Sequence, residues 1–324
     1  MILEIRDLPW AAQRVVAKAA VAALPFRAHL EIAFLRGRIH GLFSKAPAYV
    51  RQNLEAVNGS LGTADLDDIA GRYFEFSKRL YLLRTLPALP GFNNPRQWTV
   101  EGQGHLDAAL AGHRGAILAT AHLGYGRIVA PILRAHGYDV KQVVAGGERV
   151  KHHEEEERWL ANTTAFRRYV YQRTRVHADP LGPNEIVASL DVRPILEALS
   201  LNRPVMIAAD GMRAAHFIRL PFLGMTYPFP TGFMKIAMAT EAPLLPVFGI
   251  EGNRGQRIRV EIKPRLSIDP TASVADNLVR FVRVLEEQIR EKPHLWCRWG
   301  FRNLFGKVVE WSEDERRFRY GSLW

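Results

Sequence analysis

The 324-residue chain contains a single cysteine, Cys297. One thiol closes no intramolecular disulfide and builds no multi-cysteine zinc site, so nothing points to an oxidising compartment, and a cytoplasmic address is the expectation. Long apolar runs are missing as well. The longest near the start, Val15 to Leu24, is broken by Lys18 and falls well short of the roughly 20 residues that cross a bilayer. Glu4 and Asp7 stand where a secretory signal carries positive charge, so no cleaved leader is expected. Acidic residues are the minority, 33 against 44 Lys and Arg, which leaves a formal net charge of +11. Such a field selects anionic partners: nucleic acid, an anionic membrane surface or an acidic carrier protein.

Several chemical signatures are also absent. The sequence has no G-x-x-x-x-G-K-[ST] phosphate loop, no G-x-S-x-G nucleophile elbow and no H-E-x-x-H zinc helix, which removes the commonest nucleotide, hydrolase and metalloprotease readings. Gly124-Tyr125-Gly126 lacks the third glycine and the acid of a dinucleotide site. There is no helix-turn-helix, RRM or OB signature, so nucleic acid is not an expected partner.

What is present suffices for a packed protein, since 48% of the residues are hydrophobic, enough for one large core or two small ones. Residues 9–95 show helix-type spacing, with Arg14, Lys18, Arg27, Arg36 and Arg38 on or near the polar side. The spacing predicts several amphipathic helices, packed on a neighbouring domain or lying on a membrane. Turn formers crowd into Leu89-Pro90-Gly91-Phe92-Asn93-Asn94-Pro95 and should end this region.

Beyond it, short apolar runs alternate with helical stretches. Strands are expected over 115–120, 140–144, 205–209, 244–249 and 257–262, and helices over 126–135, 186–200, 231–240 and 274–291. The expected fold is therefore α/β, a mostly parallel mixed sheet flanked by helices. Its parts are a helical region (1–95), the core (96–305) and a basic aromatic tail (306–324). Four consecutive carboxylates, Glu154 to Glu157, follow His152 and His153; they cannot all face one ion from a helix, so a solvated face is expected.

His122 stands apart because of its place. Gly115-Ala116-Ile117-Leu118-Ala119-Thr120 reads as a buried strand that delivers this histidine to the loop at its C-terminal end, just before a helix. In open α/β sheets ligands bind at that edge. An imidazole there either takes a proton from an attacking hydroxyl or ties the loop to backbone carbonyls, and position alone leaves both open.

The segment Arg114 to Gly124, followed by a helix and Gly137-Tyr138, resembles the first block of the bacterial lipid A lauroyl/myristoyl acyltransferases, part of the wider H-x4-D/E acyltransferase group. Further similar blocks are Ala209-Asp210-Gly211, then Leu220-Pro221-Phe222-Leu223-Gly224, Pro230-Thr231-Gly232 and Ala242-Pro243-Leu244-Leu245-Pro246-Val247. Residues 285–299 and Val50-Arg51-Gln52-Asn53-Leu54 add to a likeness spanning roughly 45–305. The resemblance implies transfer of a fatty acyl chain from an acyl carrier protein or acyl-CoA thioester to a lipid or small-molecule acceptor. It implies His122 as general base and no metal or redox cofactor, with peripheral contact to an anionic membrane as a further expectation.

One departure stands out. Where the family places an acid five residues after the histidine, this chain has Arg127, which cannot support an imidazolium. Asp210, at the end of a predicted strand of the same sheet, is the candidate replacement. Oxyanion donors are sought at Gly124, Gly232, Arg127 and Arg213, and an acyl site at Phe222, Phe229, Thr231, Phe233 and Met234. The competing reading is a non-catalytic lipid- or carrier-binding protein that keeps the fold without the acid.

Overall fold

The computed structural model describes residues 23–43, 46, 48–62, 65–83, 91–145, 161–168, 184–188, 191–211, 214, 216–252, 258–301 and 304, with 8, 11, 12, 15 and 19 as isolated positions. The Glu154–Glu157 run and the whole C-terminal tail (306–324) lie outside them. Among the helices whose bounds are described, α1 (Phe26–Phe43), α2 (Ala48–Glu55) and α3 (Leu66–Leu83) come first. Helices α1 and α3 cross closely because α1 carries glycine at the crossing: a Cβ on Gly37 would sit 2.7 Å from the Glu75 carbonyl oxygen.

After a tight turn at 91–93 come β1 (Thr99–Glu101), α4 (Gln103–Leu110), β2 (Ala116–Thr120), α5 (Gly126–Ala135), β3 (Lys141–Ala145) and β4 (Glu185–Ala188). Then follow α6 (Arg193–Ser200), β5 (Pro204–Ala208), the hairpin β6 (Phe217–Phe222) and β7 (Met225–Pro230), α7 (Gly232–Thr240), β8 (Leu244–Glu251), β9 (Ile258–Ile262) and α8 (Val274–Glu291). The seven-stranded sheet has the order β1-β9-β8-β2-β5-β3-β4. Strands β8, β2, β5, β3 and β4 run parallel; β9 is antiparallel to β8, and β1 runs with β9.

Strand β2 lies mid-sheet, buried at every position, which is why it reads as an unbroken apolar run rather than an alternating one. Its neighbours β5 and β8 present their C-terminal ends beside its own, so residues just past all three strands share one edge. Helix α8 starts on a reciprocal cap between Ser273 and Asp276 and buries Leu278, Phe281, Val282, Leu285 and Ile289, the stripe of an amphipathic helix. Buried apolar residues form one cluster from Phe26 to Leu304.

The α/β mixed sheet agrees with the expectation. One element needs correction: the single helix expected over 186–200 is strand β4 followed, after a break, by α6. Ile186 pairs with Val143 of β3, and that ladder, formed with residues far away in sequence, outweighs local helical spacing. The hairpin β6–β7 is likewise absent from the expected elements. Among the described residues, no helix is long and apolar enough to cross a membrane.

Candidate active site

The site begins with how β2 ends. Between β2 and α5 the chain turns through Gly124 at φ +58°, where a Cβ would come within 2.0 Å of the Gly249 carbonyl oxygen on β8. Only glycine fits that approach. The loop backbone is then pinned from three sides. Gly124 N–H donates to the Leu295 carbonyl at 2.8 Å, Tyr125 N–H to the Gly249 carbonyl at 2.6 Å, and Cys297 N–H to the His122 carbonyl at 2.8 Å. The His122 ring emerges from this fixed backbone with its side chain 41% exposed.

Asp210 arrives from the adjacent strand. Ala208 of β5 lies opposite Thr120 of β2, and Ala209 N–H donates to the Thr120 carbonyl at 2.7 Å, so the residue after Ala209 is delivered beside His122. The Asp210 carboxylate is fully buried. Its Oδ1 accepts from the His122 backbone N–H at 2.9 Å and lies 2.7 Å from His122 Nδ1. Its Oδ2 accepts from Trp296 Nε1 at 3.2 Å and faces Arg298 Nε at 3.6 Å. Burial alone would raise this carboxyl, but its electrostatic interactions with His122 and Arg298 and the hydrogen bonds from His122 outweigh it and hold Asp210 well below the usual carboxylate range.

The tautomer follows from these distances. An unprotonated Nδ1 would set its lone pair against a carboxylate oxygen at 2.7 Å, so the contact favours a proton on Nδ1, and in the neutral ring Nε2 then carries the lone pair. Arg298 Nη2 is also 2.9 Å from Nδ1. With Nδ1 already a donor, that contact is not a hydrogen bond, and Nη2 donates instead to the Asp210 carbonyl at 2.9 Å. Tyr227 Oη reaches the same carbonyl at 3.2 Å.

Aromatic rings pack around Trp296, the hydrogen-bond partner of Asp210. Trp296 packs against Trp299, Phe222 and Tyr227, with centroids 4.7, 5.4 and 5.8 Å apart. Phe222 stacks edge-on with Phe229 at 5.1 Å. Phe222 and Phe229 thus lie fully buried among rings beside Asp210, whereas Phe233 packs on Phe281 of α8 and Met234 is buried next to it. Thr231 is buried and donates its backbone N–H to the His216 carbonyl. Gly232 is exposed and opens α7, where first-turn N–H groups lack helical partners.

Gly124 requires a correction: its N–H is committed to Leu295, so it stabilises the loop and offers no hydrogen to an oxyanion. Arg127 lies exposed in the first turn of α5. Arg213 is outside the described residues. Tyr227, Trp296 and Arg298 were not among the expected site residues: Trp296 and Arg298 fell in the 285–299 block without an assigned role, and Tyr227 lies in the unexpected hairpin.

A second polar cluster sits where β8 ends. Glu251 pairs with the largely buried Arg79 of α3 and lies 3.4 Å from His294 Nε2, which in turn is 3.4 Å from Arg72 Nη2. Burial would raise Glu251, but His294 and Arg79 prevail and push it down to about 2. Beside it opens a cleft of about 520 Å³ walled by α1 and α3, with Ile32, Leu35 and Arg38 on one side.

Residues 9–303 match the model of a family described as bacterial lipid A biosynthesis acyltransferase. Among curated proteins, the phosphatidylinositol mannoside acyltransferase of Mycobacterium tuberculosis is 29% identical over 237 residues, covering 70% of this chain and 68% of that enzyme. Its namesake in Mycolicibacterium smegmatis is 27% identical over 310 residues, covering 93% of this chain and 92% of the other.

Proposed function

Since the chain belongs to the bacterial lipid A biosynthesis acyltransferase family, and so to the acyltransferases of lipid biosynthesis, we propose that His122 is the general base of its transfer reaction. The carrying observation is the 2.7 Å contact between His122 Nδ1 and the buried Asp210 carboxylate. That contact fixes the ring and leaves Nε2 as the basic atom on a half-exposed side chain.

In the reaction, Nε2 takes the proton of an acceptor hydroxyl or amine as it attacks the carbonyl carbon of an acyl thioester. The developing imidazolium is stabilised by Asp210. Collapse of the tetrahedral oxyanion expels the thiolate of acyl carrier protein or coenzyme A, which leaves with the proton held on Nε2. First-turn N–H groups of α7 at Gly232 remain candidates for the oxyanion. The names of the relatives favour a hydroxyl of a glycolipid as acceptor.

The non-catalytic reading rested on Arg127 replacing the family acid. Asp210 supplies an acid from another strand, which favours the enzyme. Exposed Ile32, Leu35 and Ile39 on α1, with Arg38 among them, support peripheral contact with an anionic membrane on its cytoplasmic face. The test is mass spectrometry of lipids from cells making the wild type or His122→Ala. An acylated species that depends on His122 is expected, and identical lipid profiles from two folded proteins would overturn the assignment.

A further inference from the structure

Asp210 is not the only charge against the His122 ring. The Arg298 side chain is only 5% exposed, and Phe301 lies across its guanidinium with the ring centroid 4.9 Å away. Its Nη2 sits 2.9 Å from His122 Nδ1 and its Nε 3.6 Å from Asp210 Oδ2. The imidazole therefore rests on a carboxylate and a guanidinium together, a pair with no net charge. A lone buried carboxylate favours the imidazolium, and a protonated ring is no base; a cation beside the same nitrogen favours the neutral ring.

We propose that Arg298 is a positioning residue that offsets the charge of Asp210, so that His122 enters each turnover as a neutral base in its Nδ1–H tautomer. The hydrogen bond from Nη2 to the Asp210 carbonyl secures the geometry, and the charge sets the base strength. This rests on the reading of His122 as the base, although the electrostatic part stands on geometry alone. The other groups facing the ring from the surrounding elements do not duplicate it. Asp210 is the opposing charge, the uncharged Tyr227 from β7 donates to the Asp210 carbonyl, Arg127 is exposed in the first turn of α5, and Cys297 contributes its backbone N–H to the His122 carbonyl.

Three variants separate charge from packing. Arg298→Met keeps bulk and loses charge. Arg298→Gln keeps an amide donor for the Asp210 carbonyl and safeguards folding, and Arg298→Lys keeps the charge. Two readouts apply to each: the acidic limb of the kcat/KM pH profile, and the midpoint of His122 ring protonation by NMR of labelled histidine, assigned against His122→Ala. In Arg298→Met and Arg298→Gln both should move to higher pH by about one unit or more, while Arg298→Lys stays close to the wild type. Midpoints that stay put or fall in the neutral variants overturn the proposal. So does a lysine variant that shifts as far as glutamine, since that assigns Arg298 to packing. If the NMR midpoint shifts but no form transfers acyl groups under any condition, the role of His122 as base fails while the charge balance holds.

Discussion

Replacing Asp210 with asparagine tests the dyad at its least replaceable point. The carboxylate faces donors on both oxygens: His122 N–H and Nδ1–H at Oδ1, and Trp296 Nε1–H at Oδ2. An amide offers one acceptor and one donor. If its oxygen stays toward His122, its NH2 group meets the Trp296 N–H; if it flips, the NH2 meets the His122 backbone N–H and forces the imidazole into the tautomer with Nε2 protonated, which is no base. Either way a buried donor is left unmet, costing about 1–3 kcal/mol, and Arg298 loses its counter-charge, a change of the kind that destabilises by about 3–5 kcal/mol.

The catalytic loss comes from the imidazolium. A unit charge about 4 Å away at an effective dielectric near 20 contributes about 4 kcal/mol, which corresponds to about 10³-fold in rate. Thiol release from a long-chain acyl thioester, together with mass detection of acylated product, measures this. Melting temperature in the same preparation reports folding. Arg127→Ala is the comparison: it removes no support from the imidazolium and should lower kcat by less than about tenfold, with any effect falling on KM. A folded Asp210→Asn protein that turns over within about threefold of wild type would refute the reasoning.

Four further outcomes are expected. His122→Ala should fold normally and lose about 10²-fold or more of its transfer rate, checked by the same thiol assay and by circular dichroism. Gly124→Ala forces a Cβ against the Gly249 carbonyl at positive φ and should destabilise by several kcal/mol; a melting temperature equal to wild type would contradict the loop geometry. Donor turnover with a carrier protein and binding to anionic vesicles should weaken as salt shortens the Debye length from about 10 Å at 0.1 M to about 3 Å at 1 M, and indifference to salt in both would remove the charged-partner reading. Glu251 is depressed from its ordinary 4.5 to about 2, so its stabilising contribution is full above 4.5 and is lost as pH falls through about 2. Hydrogen exchange in α3 should rise across that window, and Glu251→Gln should flatten the change.

Sequence made the centre of the fold legible because β2 and β8 are buried almost throughout and β5 over its first three residues, so all three read as apolar runs with few alternatives. It led to Asp210 for the same reason: a residue at the end of a strand in a parallel sheet has a calculable neighbourhood. The hairpin β6–β7 hid behind Pro221, Pro228 and Pro230, which speak against a strand locally; set opposite Thr226, Arg219 and Phe217 in a separate two-stranded sheet, they cost little of a ladder that a central strand would need. Arg298 had no local mark at all. Its role depends on lying against a histidine 176 positions earlier, and nothing in the spacing of residues 285–299 announces that contact.

That separation also sets an order of events during synthesis. His122, Asp210, Trp296 and Arg298 reach one another only when nearly the whole chain exists, and the last stretch is clipped in place by Asn53, whose amide donates to the carbonyls of Trp299 and Phe301 and accepts from Leu304 N–H. A ribosome-bound chain ending before residue 290 would own its central strands and its histidine yet leave Asp210 without Trp296 and Arg298. On the proposed role of His122, an unfinished molecule should lack transfer activity, and a nick between α8 and Trp296 should silence the protein while sparing much of its sheet.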